Sequence, residues 1–172
     1  MHILLNIVEC CSEKPTKKIQ RIDKWSPPLA NSLYFNIDGS VMGSLGPAGI
    51  GGVLCDNMGK ILFVFSSHAG VQYVILAELL AILRACELFG SRQELALRPL
   101  TVISDSKIAV GWVLGCLSGN NSHNQVIEDI RSWLGSFSSA LVEFRSRSSN
   151  SFADTLEKKG LSSGVEDLWW SV

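Results

Sequence analysis

The chain lacks several things that would assign it to a chemistry quickly. It has no C-x-x-C pair, and its five cysteines (Cys10, Cys11, Cys55, Cys86 and Cys116) are odd in number. This excludes a zinc ribbon and a disulfide frame, and is the usage expected of reduced thiols in an intracellular protein. The three histidines, His2, His68 and His123, show no zinc-ligand spacing. No apolar run is long enough to cross a bilayer. The opening stretch from Met1 to Val8 is short, has no basic flank and runs into Glu9, which makes a poor signal peptide. No G-x-G-x-x-G occurs, and the glycine-rich stretch at 43–52 leads into a strand pattern, so a dinucleotide site is not expected. There is almost no net charge: 15 Lys and Arg against 16 Asp and Glu give −1. A whole-molecule field for nucleic acid is therefore absent, and any such binding must come from a local patch or from bound cations.

What is present is a globular chain. Apolar residues make up 47% of its 172 positions and charged residues 18%, a balance that builds one domain with a sizeable core. Residues 1–30 read as a leader, partly disordered, with a mildly basic run (Lys14, Lys17, Lys18, Arg21, Lys24) and a stop at Pro27-Pro28. A domain follows over 31–161, then a C-terminal tail over 162–172.

Within the domain, Leu33, Phe35 and Ile37 alternate with Tyr34, Asn36 and Asp38, the period of a strand. Asp38 is expected to close that strand, with Gly39 turning the backbone away. A second strand is read over 50–55 and a third over 60–66, joined by the hairpin-turn chemistry of Asp56-Asn57-Met58-Gly59. An almost wholly apolar helix is read over 73–89, a fourth strand over 100–104, and a helix beginning at 106. An amphipathic helix over 126–134, a fifth strand over 140–145 and a last helix from Asn150 or Ser151 complete the series.

Four acids stand out, each with an ordinary explanation. Asp38 is either a turn residue or the centre of a magnesium site. Glu78 lies among Val74, Ala81, Ile82 and Ala85 on the buried side of its helix, where a carboxylate needs a partner. That partner is either an arginine or a cation. Asp105 ends the fourth strand and is either an N-cap, a role Ser104 or Ser106 could share, or a ligand at a strand–helix crevice. Asp154 has capping-box spacing from Ser151 and suits a helix N-terminus.

Taken in order, these acids and their neighbours form a set. The motifs are Lys24-Trp25-Ser26-Pro27-Pro28, Asn36-Ile37-Asp38-Gly39-Ser40, Gly46-Pro47-Ala48-Gly49-Ile50-Gly51-Gly52-Val53, Ala77-Glu78, Ser104-Asp105-Ser106 and Arg147-Ser148-Ser149-Asn150-Ser151-Phe152-Ala153-Asp154. In the order β-β-β-α-β-α-β-α, the chain from Trp25 to Gly160 resembles the ribonuclease H family. It is most similar to the plant ribonuclease H-like domain of non-LTR retrotransposon polyproteins and stand-alone plant proteins.

The resemblance implies an α/β, ribonuclease H-like fold with a five-stranded mixed sheet flanked by helices. It implies a metal-dependent endonuclease that hydrolyses the RNA strand of RNA–DNA hybrids with two Mg2+ ions, Mn2+ being an alternative. Asp38 would bridge both ions, Asp154 would help hold the one that activates water, and Glu78 and Asp105 would hold the one on the leaving-group side. Gly39, Ser40 and the small residues of 46–52 would let backbone approach the hybrid, and Arg145, Arg147 and Asn150 would contact it. A monomer is expected, with no membrane partner. The chain departs from the family in having Phe144 where relatives carry His or Trp, no histidine near the last acid, Glu157 in place of Ala, and no lysine-rich helix. The near-neutral charge, the absent histidine and the absent basic helix support the rival reading, a non-catalytic module that binds nucleic acid or a protein partner.

Overall fold

The structure is a computed structural model, and it describes residues 30–117, 121–147, 158, 160 and 166–170. Three long strands come first: β1 (Leu33–Val41), β2 (Leu45–Asp56) and β3 (Ile61–Tyr73). They pair antiparallel in sequence order. The turn between β2 and β3 forms as its residues dictate. The Gly59 N–H donates to the Asp56 carbonyl at 3.0 Å, and Gly59 takes the positive φ of 80° that glycine tolerates. The Asp56 carboxylate accepts from the N–H groups of Met58 and Lys60 at 2.8 and 2.9 Å.

β3 runs directly into α1 (Val74–Gly90), which is followed by β4 (Leu100–Ser104), α2 (Lys107–Val113), a 3-10 turn at Asn121–His123, α3 (Asn124–Ser136) and β5 (Ala140–Phe144). β4 lies parallel to β1 on one side and to β5 on the other. A last strand, β6 (Asp167–Trp170), pairs antiparallel with β3. The sheet is mixed, with order β5-β4-β1-β2-β3-β6, so β1 and β2 are its middle and β6 is an edge.

The alternation read in β1 is what builds the core. Leu33, Phe35 and Ile37 are fully buried. They join Phe63 and Phe65 from β3 and Leu79, Ile82, Ala85, Cys86 and Phe89 from α1 in one cluster. The ring of Phe35 meets Phe63 and Phe65 edge-on at 6.2 and 5.8 Å, the favoured aromatic geometry. Burying each such side chain contributes about 1.5–3 kcal/mol, so the helix is held to the sheet by packing. On α3, Ile127 and Ile130 are buried on the side read as apolar.

Three sequence expectations change. The sheet has six strands and not five, because residues 167–170 form β6. Three of those four residues are exposed, so no alternation marks them, and their partner lies about a hundred positions earlier. Asp38 does not end its strand. β1 continues to Val41 and β2 begins at Leu45, with Val41 opposite Ala48. Pro47 and the glycines read as a loop, yet a register shift between Pro47 and Gly49 accommodates them within the ladder. The last predicted helix, near 150–160, lies almost wholly outside the described residues.

Candidate metal centre

Asp38 sits in the middle of the sheet, opposite Gly51 on β2 and beyond Asn36, which pairs with Ile103 on β4. Its side chain is fully buried, and its Oδ1 accepts the Gly39 N–H at 2.9 Å. Gly39 is extended rather than turned. Its smallness serves a different purpose from the one read in the sequence. A Cβ there would lie 2.6 Å from the carbonyl carbon and oxygen of Ala77 and 2.9 Å from the backbone nitrogen of Glu78. Glycine therefore lets the first turns of α1 rest directly on β1. That close approach brings Glu78 up to Asp38. Gly52 has a similar packing cause, since a Cβ would meet Phe65 Cε1 at 2.5 Å and Ile37 Cγ2 at 2.9 Å.

Glu78 is 6% exposed. Its helix has an uncharged first turn and no side-chain cap, so the glutamate lies one turn inside the helix and is not placed there by capping. Asp105 follows β4 directly. The capping role left open in the sequence falls to Ser106, whose Oγ accepts the Ala109 N–H at 3.3 Å. Ser104 Oγ accepts the Ser106 N–H at 3.0 Å. With serines closing the turn, the Asp105 carboxylate points elsewhere.

It points at the other two acids. Asp38, Glu78 and Asp105 each offer a carboxylate oxygen, and the three oxygens lie within 4.8 Å of one another. Two like charges 4 Å apart repel by about 4 kcal/mol at an effective dielectric of ~20, and this group holds three acids in a largely water-free place. Three hard oxygen donors at this separation suit a divalent cation of the magnesium, calcium or manganese class.

Arg147 reaches the same place. Its Nε donates to Asp105 Oδ2 at 3.0 Å. The backbone explains how: the Arg145 N–H bonds to the Ser104 carbonyl at 3.0 Å, continuing the β4–β5 ladder to the level of Asp105. The sequence reading gave Arg147 to phosphate and did not foresee this contact, for which a separation of 42 residues offers no local signal. Arg145 is paired with Glu143 at 3.1 Å. Ser40 is half-buried in β1, two residues from Asp38. Asp154 and Asn150 lie outside the described residues.

Known proteins agree with this architecture. The family described as Reverse transcriptase-like matches residues 36–160. Among solved structures, the RNase H1 of the halophilic archaeon Halobacterium salinarum is 23% identical, with a TM-score of 0.70 over 76% of this chain and 97% of that one. LC11-RNase H1, isolated from compost by a metagenomic approach, is 26% identical, with a TM-score of 0.71 over 76% and 96%. The same enzyme in complex with an RNA/DNA hybrid matches at 25% identity and a TM-score of 0.70, again over 76% and 96%. No curated protein matches the chain in sequence. The family match spans most of the chain and covers all three gathered acids, and the chain therefore belongs to the Reverse transcriptase-like family as a ribonuclease H-like domain.

Proposed function

We propose that this domain is a Mg2+-dependent endonuclease that cuts the RNA strand of RNA–DNA hybrids. The observation that carries the reading is the convergence of Asp38, Glu78 and Asp105 to within 4.8 Å in a ribonuclease H-like fold. The hybrid bound by LC11-RNase H1 supports the substrate class. Asp38, Glu78 and Asp105 would hold the metal, with Asp154 as the fourth ligand and Mn2+ as an alternative ion. Bound divalent cations would supply Lewis acidity, generating a nucleophile from water at neutral pH and stabilising charge on the leaving oxygen.

The chain's own residues have simpler tasks. The Gly39 N–H orients Asp38, and Gly39 itself admits α1 so that Glu78 reaches the centre. Ser106 caps α2 and leaves Asp105 to the acid group. Gly39 and Ser40 would lie beside the strand to be cut. Arg145 and Arg147 would neutralise phosphates and Asn150 would donate a hydrogen bond, which orients the strand without reading its sequence.

A second reading, a non-catalytic binding module, draws on one observation. Both candidate phosphate-binding arginines are paired with acids of this chain, Glu143 and Asp105. Cleavage of a labelled RNA–DNA hybrid with Mg2+ separates the two. Loss of cleavage in Asp38→Asn and with EDTA is the expected result. Equal cleavage by Asp38→Asn would mean a contaminating nuclease. No cleavage by folded parent protein would favour the binding module.

A further inference from the structure

We propose that Arg147 is the resident counter-ion of the acid centre. It pairs with the Asp105 carboxylate and must give it up when a divalent cation binds. The inference rests on the metal-centre reading above and concerns how that centre is controlled.

The pair is unequal. The Asp105 side chain is 8% exposed and the Arg147 side chain 70% exposed. A nearly buried carboxylate beside two other acids is costly without positive charge. A guanidinium supplies that charge from the solvent side, on a long flexible stem. Its contact with Asp105 is made through Nε at 3.0 Å. Arg145 puts two nitrogens on Glu143, at 3.1 and 3.4 Å.

A cation at Asp105 would meet the Arg147 charge at close range. Both cannot use the carboxylate without mutual repulsion, which is stronger there than in water. An ion pair with a largely exposed partner is weak, so a doubly charged ion displaces it once its concentration is high enough. Arg147 therefore sets the metal concentration at which the centre fills.

The test is Mn2+ binding in the absence of nucleic acid, read by electron paramagnetic resonance of the free ion. The proteins are the parent, Arg147→Ala, Arg145→Ala and Asp105→Asn, each checked for folding by circular dichroism. Arg147→Ala is expected to bind Mn2+ about twofold to fivefold more tightly than the parent, the size of a largely exposed ion pair. Arg145→Ala removes the same charge two residues away and is expected to change affinity by less than about twofold, because its partner is Glu143. Asp105→Asn should bind more weakly. Should the alanine variant fold poorly, Arg147→Gln keeps the stem and answers the same question. Equal or weaker binding by a folded Arg147 variant, with Asp105→Asn still weakened, overturns the counter-ion role and leaves the metal centre standing. Absence of binding in the parent and in every variant overturns the metal centre itself, and the counter-ion role with it.

Discussion

The middle of the sheet and its β6 edge treat charge in opposite ways. At the edge, Arg84 forms a fork with Glu166, Nε to Oε1 at 2.7 Å and the second nitrogen to Oε2 at 2.8 Å. It also reaches Glu87 at 3.0 Å. Glu166, more than any other group, makes Arg84 hold its proton more tightly. Beside this fork, Trp170 lies 3.7 Å from the Phe63 ring, and the Arg92 guanidinium sits 3.8 Å over the indole. Opposite charges and π faces are matched there, and nothing further is required. In the middle of the sheet, three largely buried acids crowd together. The edge is arranged for stability. Buried acids gathered this closely cost stability unless positive charge sits among them, the trade-off expected where function and packing conflict.

The sharpest way to break this contrast is Asp38→Asn. Cleavage should fall on the order of a thousandfold, as when a residue of a concerted site is removed. Without metal, the same variant should be more stable by roughly 1–2 kcal/mol, because a repulsion of ~4 kcal/mol per close pair is partly relieved. At about 2–4 °C per kcal/mol for a chain of this size, a thermal scan in EDTA resolves the gain. A lower melting temperature would mean that the centre is not under charge strain.

Next in size is Gly39→Ala. The new Cβ would fall 2.6 Å from backbone atoms of Ala77, and backbone cannot rotate aside as a side chain does. A loss of roughly 2–3 kcal/mol is expected, measured by urea titration, together with lost cleavage as Glu78 is pushed from Asp38. At the edge, Trp170→Ala should cost roughly 1–2 kcal/mol through lost ring and cation contacts. Cleavage by the folded fraction should be unchanged. Loss of cleavage would show that the two regions are coupled.

The smallest effect concerns Cys86, on the helix that connects the two regions. Burial, with a lesser contribution from Glu87, pushes its thiol from the ordinary 9.0 up to about 12. The unfolded chain releases this proton above pH 9 while the folded chain keeps it. The stability contributed by the neutral thiol is thus complete below pH 9 and is lost as pH rises toward 12. The slope cannot exceed about 1.4 kcal/mol per pH unit for one group. In Cys86→Ala the fall of stability between pH 9 and 10.5 should be shallower than in the parent, followed by urea midpoints.

The acid positions could be read in the sequence from their local setting. Asp38 lies in an alternating run, Asp105 follows a five-residue strand, and Glu78 is a charge in an otherwise apolar turn. The fold class was readable for a related reason, since the periods of the strands and helices alternate clearly from Leu33 to Phe144. Gly39 was noticed for the wrong cause. Turn chemistry and close packing both call for glycine, and only the position of Ala77 tells them apart. Ser106 and Asp105 were equally good caps on paper, and the hydroxyl took the role.

The sequence by itself determined which residues alternate, which stretches between Leu33 and Phe144 are helical, and that Asp38, Glu78 and Asp105 stand in a strand, on the buried side of a helix and after a strand. These properties depend on neighbours within about a turn or a strand, where side-chain period and backbone preference act. Only the tertiary structure decided that Asp38, Glu78 and Asp105 meet within 4.8 Å, that Arg147 turns to Asp105 and that Trp170 closes the edge against Phe63. Those contacts join residues 27 to 107 positions apart. At such separations no local preference selects a partner, and burial, strand register and the fit of a helix against a glycine do.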